Sequence, residues 1–538
     1  MFNYKFVPCE ENESQYEDYD LENYNIVEAR YIKAKEEMDR GNPFIEALPF
    51  PRGEEDVRSA YTKQLLTYDF DRVKNMTKLE KMIAVGTLRQ IRFPLTYHKS
   101  LEYEFYTALL TSYRARKITP TKNRPVEYIF ENEEQETNHI VYGNSSDSTN
   151  AGFSLIGYSG CGKSSSIQTL LSHYPQVIMH QEDELTRYPQ IVYIVVNCIP
   201  NSNFSALYEG IGEAIDRALG NTSPVYAEQI GKATGLGKKA EKVKSLIERF
   251  GIGMIIFDEI QLIDFNKTKD NTFESLMTLS NGTKVAMAVV GTEDARAKMF
   301  KELRTTRRLG KLINGDLYCE NKKFFSFLVQ QLFQYQWFDE PIKLTQSMID
   351  ALYDVTKGIV DQLIGVYSCM NYDYIERKNK PAVDAKYVHE IANKYYPGMQ
   401  EVLMHLDTVE SAFAFIEIKK QSEARVSAMI DAARQETEAE QLMSKQDETV
   451  VKTMLLKNVI RNIMALYDEY STADIEFAFK MVMKDKDALN KSEREISRMV
   501  IKKLEQKDTP KKSSTKKKSA MPNIDTSIMK DFVSTCEV

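Results

Sequence analysis

The sequence predicts an α/β protein with a mainly parallel sheet at its centre and helical regions on both sides. Three observations predict this. Short apolar runs alternate with helical stretches through the middle of the chain. A glycine-rich loop joins one such run to one such stretch. Before and after this core, apolar residues recur at three- and four-residue spacing. The chain has 538 residues, 42% hydrophobic and 10% aromatic, enough to bury a large core and to exclude global disorder.

In chain order, residues 1–53 open acidic, with Glu10, Glu11, Glu13, Glu17, Asp18, Asp20 and Glu22 interleaved with tyrosines. This composition suits a solvated arm or a docking segment, and we read it as an arm. Asn42-Pro43 and Pro49-Phe50-Pro51-Arg52-Gly53 break any helix there. Residues 54–117 read as helical, with Leu101, Phe105, Leu109 and Tyr113 in one stripe. Residues 118–150 are a polar connection.

The apolar runs Phe153–Ile156, Ile191–Val196, Met254–Phe257 and Val285–Val290 then read as strands of a parallel sheet. From about residue 320 the pattern is helical again. Val451, Leu455, Val459, Ile463 and Leu466 form a stripe within the charge-rich stretch 407–505. Residues 507–520 are a lysine-rich tail of disordered composition, and the last residues regain apolar character. The expected organisation is therefore 1–120, an acidic arm and helical region; 121–318, the α/β core; 319–400, a helical lid; 401–506, a C-terminal helical region; and 507–538, a basic tail with a terminal peptide.

Composition narrows the function. Six scattered cysteines with no CxxC argue for reduced thiols and against a zinc ribbon. The absence of HExxH disfavours a zincin. No run is long and apolar enough to span a membrane, and the start of the chain lacks a secretory signal, so a cytoplasmic protein is expected. A net charge of −7 argues against wholesale coating of nucleic acid but leaves room for a local basic stripe.

The chemistry is announced by Gly157-Tyr158-Ser159-Gly160-Cys161-Gly162-Lys163-Ser164-Ser165, which fits GxxxxGK[ST] between a strand and a helix. Glycines let backbone N–H groups converge on phosphate oxygens, and the helix that follows points its N-terminus at that charge. Gly157, Ser159, Gly160, Cys161, Gly162, Lys163, Ser164 and Ser165 are the candidate ATP-binding residues, with Ser164 also a ligand for Mg²⁺. Cys161 reads as a small filler. A second run, Met254 to Phe257, ends in Asp258-Glu259. Asp258 is placed to hold Mg²⁺ through water, and Glu259 to polarise a water for attack on the γ-phosphate. A third run ends at Gly291-Thr292, where Thr292 is either a γ-phosphate sensor or a helix N-cap, or both. Arg307 and Arg308, with Arg304 in reserve, are candidates for an arginine finger reaching a neighbouring subunit; a charged helix end is the alternative.

In this order, the two motifs, the Gly-Thr strand end, the arginine cluster and a helical lid resemble an AAA+ ATPase. Residues 151–165, together with Val192 to Pro200, Val290-Gly291-Thr292-Glu293, Arg307-Arg308-Leu309 and the leader Asn42 to Pro49, are similar to the TniB/TnsC transposition regulators. The long ends resemble the larger, TnsC-type members. The resemblance implies ATP hydrolysis with Mg²⁺ and head-to-tail assembly on duplex DNA as a ring or filament. It also implies docking of a TniQ/TnsD-type target selector at the N-terminal region and of TnsA/TnsB-type transposase subunits at the C-terminal tail, in a bacterial cytoplasm at the nucleoid. Asp361 departs from this pattern, standing where many AAA+ proteins carry a sensor-2 arginine. Lys232, Lys238 and Lys239 in a lysine-rich segment are candidates for tracking DNA phosphates, with a solvated helix face as the alternative. A signalling or defence ATPase that does not act on DNA is the competing reading.

Overall fold

The computed structural model describes residues 15–16, 19–21, 26–65, 68–116, 152–181, 187–199, 203–263, 279–293, 295, 310–405, 409–464, 467, 470–484, 488 and 491–505. The chain divides into two units, Met1–Arg434 and Gln435–Val538.

The apolar runs pair as a parallel sheet. Its strands are β2 (Gly152–Ile156), β5 (Tyr193–Asn197), β6 (Met254–Asp258), β7 (Ala286–Gly291) and β8 (Lys311–Asn314), in the order β5-β6-β7-β2-β8. All four pairings are parallel. A parallel sheet must be covered on both faces, which is why these strands read as near-continuous apolar runs. β7 lies between β6 and β2, so the Gly-Thr strand end falls between the carboxylate strand and the glycine-loop strand.

The Ile191–Val196 run divides. β4 (Arg187–Ile191) leaves the main sheet and joins β1 (Ile26–Glu28) and β3 (Val177–Gln181) in a small sheet of order β1-β3-β4. The described part of residues 1–53 is therefore not a solvated arm. Tyr16 and Tyr31 are buried. The Tyr16 hydroxyl donates to the Ala47 carbonyl at 2.9 Å, and Tyr31 meets His180 Nδ1 at 2.8 Å. Tyr16 and Tyr31 are core residues, because each ring buries apolar area and each hydroxyl finds a partner.

The predicted helical stretch 54–117 is broken into α2 (Glu54–Ala60), α3 (Phe70–Lys74), α4 (Lys78–Gly86) and α5 (His98–Ala115), after the short α1 (Pro43–Glu46). Thr77 and Glu80 close a capping box that starts α4. The α5 stripe is as expected: Leu101, Phe105, Leu109 and Tyr113 are fully buried. Around the sheet run α6 (Lys163–Leu171), α7 (Phe204–Ala218), α8 (Val225–Gly231) and α9 (Leu236–Arg249). The stretch expected to form a lid, from about residue 319, is helical: α10 (Lys322–Leu332), α11 (Gln346–Thr356), α12 (Val360–Glu376), α13 (Ala385–Tyr395) and α14 (Met399–Leu403).

The 56-residue α15 (Val409–Met464) begins in the first unit and ends in the second. Within the second unit, Val459 and Ile463 of the predicted stripe form a small core with Ile475, Phe479, Ile496 and Val500, drawn from α16 (Thr472–Val482) and α17 (Glu493–Glu505). The basic tail lies outside the described residues. No helix among the described residues is long and apolar enough to cross a membrane.

Candidate nucleotide site

The glycine loop leaves β2 and enters α6 around a cavity of about 680 Å³, a size typical of small-molecule sites. Gly160 and Gly162 both have φ +82°, the left-handed region that a side chain disfavours. A Cβ on Gly160 would also press within 3.1–3.2 Å of Ile359, Asp361 and Phe415. The loop thus has the backbone geometry of an anion cradle, with the α6 N-terminus behind it. Lys163 is 8% exposed, and its ammonium donates to the carbonyls of Gly157 and Tyr158 at 2.9 and 2.8 Å. Ser159, Gly160, Gly162, Lys163, Ser164 and Ser165 line the cavity. Gly157 donates its N–H to Gly291 O at 3.2 Å, tying the loop to the end of β7.

Cys161 points away from the cavity. It is fully buried, with its sulfur 3.7 Å from that of Cys319, and this contact, with burial adding to it, pushes the Cys319 thiol up.

Glu259 follows β6 and lines the same cavity. Its backbone is left-handed, φ 56° and ψ 39°, a conformation that costs a non-glycine residue about 1–2 kcal/mol. The Asp258 carboxylate accepts the Glu259 N–H at 2.9 Å and so helps to hold the turn. Although solvent reaches Glu259, the concave surroundings raise its pKa above the ordinary glutamate value. Burial contributes most and Asp258 adds to it, while Lys163 and a hydrogen bond from Gln261 act in the opposite direction. A raised carboxyl pKa suits a group that must accept a proton.

Two residues away, Gln261 joins two of the predicted positions. Its amide nitrogen donates to Glu259 Oε2, and its carbonyl oxygen accepts the Thr292 N–H at 3.3 Å. Thr292 is 2% exposed and lines the cavity. Its hydroxyl is buried without a hydrogen-bond partner among the described residues, a costly state that a phosphate oxygen or water in the cavity would relieve. Glu259, Gln261 and Thr292 therefore act as one connected group. Sequence reasoning missed Gln261; an amide two residues after the candidate base was the one local signal for it, and nothing in the sequence signals its link to Thr292.

Four further residues escaped sequence reasoning. His98 Nδ1 accepts the Leu95 N–H at 3.0 Å, which in the neutral ring leaves Nε2 to donate to Ser166 Oγ at 2.9 Å. Ser166 in turn donates to Gly162 O at 2.8 Å. Tyr97 lies 2.9 Å from the same serine oxygen. Asp316, after β8, accepts the Tyr158 N–H at 3.2 Å and steadies the loop from the other side.

The remaining candidates separate. Lys232 and Lys238 are exposed, Lys232 within reach of Glu228 at 3.2 Å. Lys239 is 8% exposed, donates to Ser205 Oγ at 2.9 Å and pairs with Glu209. Its charge is committed inside the protein. Arg304, Arg307 and Arg308 lie outside the described residues, as does nearly all of the helix that Thr292 would cap.

The residues present fit Mg-ATP: a positive-φ cradle, a buried lysine, a serine hydroxyl and the Glu259 carboxylate line one cavity with the Thr292 hydroxyl, while Asp258 is not among the lining residues and sits behind Glu259, accepting its N–H. Residues 147–299 match the family model described as an AAA domain, a span that includes the glycine loop, Asp258, Glu259 and Thr292 and stops short of the arginine cluster. Among solved structures, the chain is similar to the Orc1 protein of Aeropyrum pernix in complex with DNA, at 11% identity over 66% of this chain and 77% of that one, TM-score 0.31. It is similar also to Cdc6p of Pyrobaculum aerophilum, at 12% identity over 53% of this chain and 79% of that one, TM-score 0.31. No curated protein matches the chain. The central parallel sheet, its strand order and the matched segment agree on an α/β AAA+ core flanked by helical regions.

Proposed function

We propose that the protein is an ATPase whose nucleotide state controls assembly on duplex DNA, and that it serves as a TnsC-type transposition regulator. The observation that carries the ATPase reading is the convergence of Lys163, Ser164, Glu259, Gln261 and Thr292 on one cavity. Lys163 binds the β- and γ-phosphates after releasing its loop carbonyls. Ser164 and Asp258 would hold Mg²⁺, which when bound neutralises phosphate charge. Glu259 orients a water and takes its proton as the water attacks the γ-phosphorus. Gln261 fixes the carboxylate, and Thr292 registers the γ-phosphate. An arginine, Arg307 or Arg308, completes the site from a neighbouring copy.

The DNA-directed part of the proposal rests on the sequence resemblance and on the exposed Lys232 and Lys238. In it, the oligomer bridges a TniQ/TnsD-type selector to TnsA/TnsB-type transposase subunits. The internal pairing of Lys239 favours the second reading, a signalling or defence ATPase acting without DNA. One experiment separates the two. Mixed with duplex DNA and a slowly hydrolysed ATP analogue, the regulator forms rings or filaments visible by electron microscopy, and its affinity falls steeply with salt while showing little sequence preference. Absence of assemblies, or a flat salt response, rejects the DNA reading and leaves the ATPase.

A further inference from the structure

The first turns of α15 form part of the nucleotide cavity. Phe415 is 1% exposed and packs where a Cβ on Gly160 would stand. One turn on, Lys419 lines the cavity together with the glycine loop, Glu259 and Thr292. Its ammonium lies 2.7 and 2.6 Å from the two carboxylate oxygens of Asp361. Asp361 is itself anchored on the loop, its N–H donating to Gly160 O at 3.3 Å. A cation carried by the C-terminal helix is therefore held beside the phosphate cradle by a carboxylate at the position where the lid departs from its expected arginine.

The chemistry of this pair is directional. Both side chains keep about a third of their exposure, 32% and 35%, so solvent screens the pair and holds it weakly. A polyphosphate in the cradle is a stronger anion than one carboxylate. It would also repel Asp361, unless the lysine shields it. The triphosphate carries more charge than the diphosphate and extends further along the cradle, so it draws the ammonium more strongly.

Building on the ATPase reading, we propose that Lys419 is a phosphate-binding residue. It moves from Asp361 toward the terminal phosphate when the triphosphate is bound and returns after hydrolysis, so that the start of α15 reports which nucleotide the site holds.

The test uses the full chain with Mg²⁺ and two fluorescent nucleotides, a slowly hydrolysed triphosphate analogue and the diphosphate. Lys419→Ala should weaken triphosphate binding about tenfold, the scale of one charge-assisted hydrogen bond, and diphosphate binding less than about threefold. Lys419→Arg should restore the preference. In the unsubstituted protein, amide exchange over residues 409–434 should be slower with the triphosphate than with the diphosphate, a readout independent of how any variant folds. Equal losses for both nucleotides, as a merely structural pair would give, overturn the proposal. So do unchanged triphosphate affinity and identical exchange in the two states. If the unsubstituted protein binds no nucleotide, or Lys163→Ala binds as well as it does, the ATPase reading itself fails. If binding depends on Lys163 and Lys419→Ala shows no selective loss, only this inference fails.

Discussion

The two walls of the nucleotide cavity are built differently. On the N-terminal side, α5 grips α6 through buried hydrogen bonds: His98 to Ser166, Ser166 to Gly162 O, and Tyr97 to the same serine. Tyr61 stacks on His98 with ring centroids 3.9 Å apart, and Arg52 joins Glu102 of α5 to Thr169 O of α6. On the side of α12 and α15, Phe415 packs buried against Gly160, but the polar side-chain contacts are ion pairs open to solvent: Asp361 with Lys419, and Arg89 of the N-terminal region with Glu423 of α15, whose side chains are 54% and 37% exposed. Buried, satisfied networks are rigid and lose several kcal/mol when broken, whereas exposed pairs exchange partners at little cost. One wall therefore fixes the cradle, and the other is free to respond to what the cradle holds.

The largest expected effect lies where the walls meet. Lys163→Ala should abolish measurable Mg-ATP binding and any nucleotide-dependent assembly; unchanged assembly would show that ATP is not the switch. Next, Glu259→Gln should retain binding and slow turnover by roughly 10²–10⁴-fold, stabilising assemblies, as expected for loss of a general base. Because the Glu259 pKa is raised, the acid limb of the pH–rate profile should lie above the ordinary glutamate range, and Gln261→Ala, which removes a hydrogen bond that lowers it, should move that limb higher still. A limb that does not shift would remove Gln261 from the base's environment.

The fixed wall then predicts an acid response. Burial lowers His98 to about 3 and His180, in the small sheet, to about 4. Both are neutral in the folded protein at neutral pH. The unfolded chain takes up their protons below about 6.5, the ordinary histidine value. Their contribution to stability is therefore complete above that pH and is lost as pH falls from about 6.5 toward 4, by a few kcal/mol in all. Chemical denaturation across this range should show the loss, and His98→Gln should blunt it; an unchanged slope would contradict the buried neutral clamp. The smallest effect belongs to the exposed wall. Arg89→Ala should change the melting free energy by less than about 1 kcal/mol.

Much of this architecture was legible because its signals are local. The glycine loop, the carboxylates after β6 and the polar end of β7 each sit within a few residues of the strand that presents them, and the strand runs differ from those observed by one residue at most, apart from the divided Ile191–Val196 run. What escaped is long-range. The His98–Ser166 contact spans 68 residues and the Asp361–Lys419 contact 58, and no periodicity encodes either. The acidic tyrosine-rich start misled because charge suggests solvent, whereas Tyr16 and Tyr31 are buried with satisfied hydroxyls. The lysine-rich segment misled in the other direction at Lys239, whose neighbour Glu209 lies a helix away in sequence.

The most direct test of the central claim is to measure Mg-ATP binding and turnover side by side for the unsubstituted protein, Lys163→Ala and Glu259→Gln. Binding with turnover is expected in the first, neither in the second, and binding almost without turnover in the third. Turnover by Glu259→Gln at the unsubstituted rate, or nucleotide binding that survives Lys163→Ala, would contradict it.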